Sequence, residues 1–153
     1  MKKTLKWVFV AFIAAFVLLQ FTNPARTNPP VVSDLPDTNA PPEIVALLHA
    51  ACYDCHSYET KWPWYSHVAP VSWLVVGDVN NGRHNMNFSD WPAGDPKRTA
   101  KRLEDMSEKI GYGEMPPKKY AMIHADARLT DDQRKELTGW LDSEAARLKS
   151  LAK

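Results

Sequence analysis

The chain has 153 residues, with 19 Lys and Arg set against 18 Asp and Glu. That length suits one small domain with a tail and excludes two full domains. The balanced charge, without a basic stripe, argues against a nucleic-acid partner, while twelve prolines and six tryptophans point to a loop-rich architecture with large flat surfaces to cover.

Residues 2–21 read KKTLKWVFVAFIAAFVLLQF. Lys2, Lys3 and Lys6 precede an apolar run from Trp7 to Phe21, the order of an export signal. Leu5 to Phe21 reaches the lower limit of about 17 residues for crossing a bilayer. The FTNPARTNPP that follows offers no small-x-small cleavage site. Residues 1–21 are therefore read as an uncleaved signal-anchor in preference to a cleaved signal peptide. Lysines on one side and only Arg26 beyond the other orient the amino terminus to the cytoplasm and the body to the periplasmic side of a bacterial inner membrane. Residues 22–42 carry six prolines and no hydrophobic period, and read as an extended, semi-rigid tether.

The folded part spans residues 43–150. EIVALLHAACYDC sets Ile44, Leu47, Leu48 and Ala51 on one helical face, with Pro42 in the first turn and Glu43 complementing the helix dipole. The cysteines sit at the end of this helix. WPWYSHVAP is proline-punctuated loop, and a helix runs from Ala69 or Pro70 to near Asn81 and Gly82. HNMNFSDWPAGDP is loop again. Pro96 to Ile110 forms an amphipathic helix with Leu103, Met106 and Ile110 inward, and GYGEMPPKKYAMIHADAR is a long irregular loop. Thr130 with Gln133 makes a capping box for a last helix, where Leu137, Trp140, Leu141, Ala145 and Leu148 share a face. Leu137 and Trp140 are expected to pack against Leu47, Leu48 and Ala51. No alternating strand pattern and no repeat occur, so the expected fold class is all-α.

The stretch CYDCH, residues 52–56, holds both cysteines of the chain. A disulfide, a metal clip and a covalent haem compete for it. Structural zinc needs four ligands, usually as two separated pairs, and neither a second Cys pair nor a His pair at finger spacing is present. A thioredoxin-like CxxC needs a βαβ setting, and a plain disulfide here would close only a tiny loop. Haem attachment uses every residue. Cys52 and Cys55 put both sulfurs on one side of a helical turn for the two vinyl groups, and His56 falls beneath the iron as proximal ligand. The export signal, the lack of other cysteines and the helix leading into the motif add weight.

Met86, Met106, Met115 and Met122 are candidates for the second axial position. Met106 faces the core. Met115 stands in GEMPP, where glycines before and prolines after can hold a thioether at fixed distance; Met122 is the fallback. His49, His67, His84 and His124 stay open, though each residue of this kind is more often on the surface or hydrogen-bonded. Trp62, Trp64, Tyr65, Trp73, Phe88 and Trp91 are candidate haem walls or ordinary core. Arg83 either pairs with a propionate or ends a helix in solvent. A carbonyl near Pro63 or Pro70 is expected to hold the other ring nitrogen of His56.

HAACYDCH, GEMPP and LTDDQRKELTGWL together resemble the class I c-type cytochromes, with an attachment helix, a Met-Pro ligand loop and a closing helix. CYDCHSYETKWPWYSHVAPVSWLVVGDVNNGRHNMNFSDW, with MPPKKYAMIHADARLT downstream, is similar to the bacterial haem-binding domain family, a cytochrome c-like group built around one CxxCH. The resemblance covers roughly residues 43–145. It implies a cytochrome c-like helical domain around covalent haem c, with His56 as proximal and Met115 as distal iron ligand. Residues 62–91 depart from the mitochondrial-type class I pattern, which bears on haem burial and propionate contacts and leaves the axial ligands in place. Two protein ligands would close the iron, and methionine raises its potential. The expected function is therefore single-electron transfer between redox proteins of the cell envelope, without enzymatic activity and without a small-molecule substrate. The alternatives are a haem-based sensor or small peroxidase-like haem protein with a labile distal ligand, and a haem-stapled docking domain.

Overall fold

Helix α1 (Lys2–Leu19) continues into a 3-10 turn at Gln20–Thr22, and none of its residues is buried. Its 18 residues span about 27 Å, close to the thickness of a bilayer's hydrocarbon core. The helix is long and apolar enough to act as a membrane anchor or signal. The computed structural model describes residues 2–32, 40–91 and 94–152. Residues 33–39 of the expected tether, and residues 92–93 of the loop before the fifth helix, lie outside the described residues.

Helix α2 (Pro42–Ala51) buries Ile44, Leu48 and Ala51. A single helix through the cysteines was expected from the spacing. Instead the chain breaks at Cys52, with φ −125°, and resumes as α3 (Tyr53–His56). The Cys52 carbonyl accepts from both Cys55 N and His56 N, so the motif forms its own turn. Helix α4 (Val71–Asn85) runs past its expected end at Gly82. Glycine is retained inside it because α4 crosses α3 there: a β-carbon on Gly82 would stand 2.4 Å from the Cys55 carbonyl oxygen.

Helix α5 (Pro96–Gly111) is capped by Asp95, whose side chain accepts from Arg98 N. Helix α7 (Asp131–Leu151) begins with both halves of the Thr130–Gln133 capping box. The two lie antiparallel: Arg134 donates to the Ile110 carbonyl at one end, and Lys149 pairs with Glu104 at the other. Leu103, Met106 and Ile110 pack with Leu137, Leu141 and Leu148 in one core, which Ile44 and Leu48 of α2 join. Leu47 and Trp140 edge the same core, so the first and last helices of the domain meet as expected. The segment expected to be wholly irregular contains α6 (Lys118–Ile123) and a 3-10 turn at Ala125–Ala127. Six residues are too few to display a hydrophobic period. The Pro117 carbonyl starts this helix by accepting from Tyr120 N and Ala121 N. The expected all-α class holds, with no strand among the described residues.

Residues 20–32 do not stand away from the domain. An extended, proline-rich backbone leaves its polar groups unpaired, and here the domain bonds the segment through both its side chains and its backbone. Gln20 bonds both the amide and the carbonyl of Ala69, Trp73 donates to the Thr22 carbonyl, and Arg26 donates to the Ser66 carbonyl. Asn28 donates to the Thr60 carbonyl, and Val32 N donates to the Ser89 carbonyl. Arg83 is the clasp. Its guanidinium reaches the carbonyls of Ser57 at 2.7 Å and Thr27 at 2.8 Å, Asn28 Oδ1 at 3.0 Å and Thr60 Oγ1 at 2.8 Å. These four acceptors take up most of its five donors. Arg83→Ala should lower stability in denaturant titration by about 2–3 kcal/mol, the scale of bonds to a charged group. Arg83→Lys should restore only part, because an ammonium lacks the planar fork.

Candidate functional site

The CYDCH turn is held from two sides. Gly82 lets α4 lie directly on Cys55, and Phe88 N donates to the His56 carbonyl at 2.7 Å. The His56 ring is held by Nδ1, which donates to the Met86 carbonyl at 3.0 Å. The acceptor is thus the residue that caps α4, and not a carbonyl near Pro63 or Pro70. Fixing Nδ1–H leaves Nε2, with its lone pair, as the nitrogen able to ligate a metal. Burial lowers the His56 pKa below the usual histidine value, against smaller opposing effects of the Met86 and Gly82 backbone. The ring is therefore neutral at physiological pH, the form that binds iron.

Cys52 and Cys55 are free thiols, each partly buried. Burial pushes Cys52 up to about 12, with a smaller push from Cys55. Burial pushes Cys55 up to about 11, with Asp54 next in effect. Burial thus disfavours the thiolate form of both. Among the described residues, no three His, Cys, Asp or Glu side chains are grouped to hold a metal ion.

Aromatic rings stack beside the motif. His49 lies 3.7 Å from Tyr53, Tyr53 4.7 Å from Phe88, and Phe88 6.0 Å from Trp91. The His56 ring meets Phe88 edge-on, and Arg102 lies over Trp91. Phe88 and Trp91 belong to the buried core. The other aromatic candidates stand outside this stack. Trp62 sits beneath Arg83 and donates to Asn28, while Trp64 is 79% and Trp73 42% exposed.

Met115 is half-buried against the same core that Cys52 and Met86 border. Its backbone is tied at both ends: its N–H donates to the Lys109 carbonyl, and its carbonyl accepts from Arg134. Gly113, at φ +70°, makes the turn that a side chain would strain. Met106 is buried on α5, Met122 is exposed, and the Met86 carbonyl already serves His56. His124 bonds Tyr65 and stacks on Tyr120; His67 and His84 lie at the surface.

Asp54, between the cysteines, was not singled out from the sequence. Its carboxylate accepts from Lys61 N at 2.9 Å and from the Tyr120 hydroxyl at 2.8 Å. It thereby ties α6 to the CYDCH turn. Burial and this bond raise the Tyr120 pKa, so Tyr120 stays a neutral donor. Only the chain's return through α6 creates the pair, and no spacing in the sequence announces it.

Two thiols on one turn, a neutral imidazole with one nitrogen anchored and one free, and an apolar border fit a haem. The chain is similar to a cytochrome c peroxidase of Escherichia coli (strain K12), with 23% identity over 103 residues. The aligned part covers 65% of this chain and 22% of that protein, so the chain spans under a quarter of its relative. No solved structure matches. The family of haem-binding domains matches residues 14–143. That match takes in the strap formed by residues 20–32, the CYDCH turn, the Met115 loop and most of α7, and the chain belongs to the haem-binding domain family.

Proposed function

We propose that this haem protein is a monohaem c-type cytochrome that carries single electrons, with Cys52 and Cys55 as thioether anchors, His56 as proximal ligand and Met115 as distal ligand. The observation that carries this reading is the bond from His56 Nδ1 to the Met86 carbonyl, which orients the free nitrogen before any iron arrives. Support for Met115 comes from its loop. A thioether is a weak ligand for a proton but a good one for iron, and a backbone tied to α5 and α7 lowers the entropy lost on ligation to that of the side chain. Bound haem supplies the one-electron chemistry and the protein tunes it. No acid, base or nucleophile is asked of the chain. The partners are redox proteins of the cell envelope, on the periplasmic side of a membrane reached through α1.

The test is absorption of the reduced full-length protein, made alongside a cytochrome c maturation system, with and without carbon monoxide. Sharp c-type bands indifferent to carbon monoxide are expected. Met115→Ala should convert the spectrum to a high-spin, carbon monoxide-binding one; an unchanged spectrum would move the distal ligand elsewhere. A second reading is favoured by the peroxidase relative: a sensor or peroxidase-like protein with a labile distal ligand. It predicts that the unsubstituted protein already binds carbon monoxide.

A further inference from the structure

Residues 62–77 read WPWYSHVAPVSWLVVG, sixteen positions without one Asp, Glu, Lys or Arg. Part of this stretch is fastened to the end of α1. Gln20 Oε1 accepts from Ala69 N at 2.9 Å, and Gln20 Nε2 reaches the Ala69 carbonyl at 3.3 Å. Trp73 Nε1 donates to the Thr22 carbonyl at 3.1 Å. No slack separates the helix from the domain at this point. Around these bonds lie large apolar side chains turned to the outside: Phe21 84%, Leu74 67%, Trp73 42% and Val71 41% exposed. An exposed apolar patch of this kind marks a contact surface.

We propose that this patch is a lipid-facing seat: Phe21, Val71, Trp73 and Leu74 rest in the interfacial layer of the bilayer that α1 crosses. The inference rests on reading α1 as a retained anchor. The argument for lipid over a protein partner is continuity. If Leu5–Leu19 fill the hydrocarbon core, residues 20–22 must lie at its edge, and whatever is bonded to them lies there too. Tryptophan suits that layer because its ring is apolar while its N–H needs an acceptor, and Trp73 has one in Thr22. The absence of Asp, Glu, Lys and Arg across 62–77 lowers the desolvation cost that would keep the surface away from lipid.

The seat would fix the height of the haem motif. From Trp73 to Gly82, where α4 touches Cys55, is nine residues, or about 14 Å along the helix. The attachment turn is then held close to the membrane surface, facing partners that work there.

The experiment uses the full-length holoprotein at one copy per lipid nanodisc of phosphatidylethanolamine and phosphatidylglycerol. Leu74→Cys, Phe12→Cys and Glu136→Cys are made separately, and their rates with a charged, membrane-impermeant maleimide are compared after subtracting the unsubstituted background. The expected result is a silent Phe12→Cys, a fast Glu136→Cys, and a Leu74→Cys slower than Glu136→Cys by about tenfold or more, as burial at the lipid edge requires. A Leu74→Cys rate comparable to that of Glu136→Cys, with Phe12→Cys silent, would leave the anchor standing and overturn the seat. A fast Phe12→Cys would overturn the anchor and the seat with it. Single occupancy removes a second copy as the source of protection.

Discussion

Replacing Cys52 and Cys55 together by alanine is expected to abolish haem staining of the protein in denaturing gels. Thioether bonds survive denaturant, whereas the His56 and Met115 bonds to iron do not outlast unfolding. His56→Ala should therefore give the opposite pattern: the stain is retained while the low-spin spectrum is lost. Geometry favours attachment over the competing uses of the motif. Both sulfurs belong to one turn, closed by bonds from Cys55 N and His56 N to the Cys52 carbonyl. Both are held as thiols by burial, so neither is an activated nucleophile of the thioredoxin kind. Stain that persisted in the double variant would sink the attachment reading outright, because no other cysteine exists in the chain.

The helices around the CYDCH motif were legible because their signals are local. The Thr130–Gln133 box needs four consecutive residues, and it is present as read. The α5 face needs only a period, and Leu103, Met106 and Ile110 are buried as that period requires. What the sequence hid depends on contacts between distant segments. Met86 holds His56 through a carbonyl, a group every residue has, so no residue type marks it. Arg83 has the chemistry for a propionate, yet the strap and the Ser57–Thr60 turn reach it and supply four acceptors. The strap itself looked like a tether because polyproline-like chain shows no hydrophobic period, whether or not something binds it. Trp64 and Trp73 were candidate haem walls by type alone. Trp64 opens a 3-10 turn and Trp73 lies in the first turn of α4, and both are exposed; composition carries no such direction.

Gly82→Ala should be strongly destabilising while Gly77→Ala, five residues earlier on the same helix, should stabilise. Both changes gain the same intrinsic helix propensity, up to about 1 kcal/mol in favour of alanine. They differ in what the new methyl meets. At Gly77 nothing lies within 4 Å. At Gly82 the methyl would stand 2.4 Å from the Cys55 carbonyl oxygen and 3.0 Å from its carbon. Those atoms are backbone of the attachment turn and cannot swing aside as a side chain would. Relief requires α4 to withdraw from α3, and overpacking of this kind costs about 1–3 kcal/mol or more, which outweighs the propensity gain. The withdrawal would also pull Met86, the capping residue of α4, away from His56 and loosen the imidazole. Thermal unfolding should therefore show a lower midpoint for Gly82→Ala and a raised one for Gly77→Ala. The Gly82 variant should also carry less low-spin haem per chain. Equal, raised midpoints for both variants would mean that α4 does not press on the motif. The glycine would then be a tolerated helix residue, and the orientation of His56 would have to come from elsewhere.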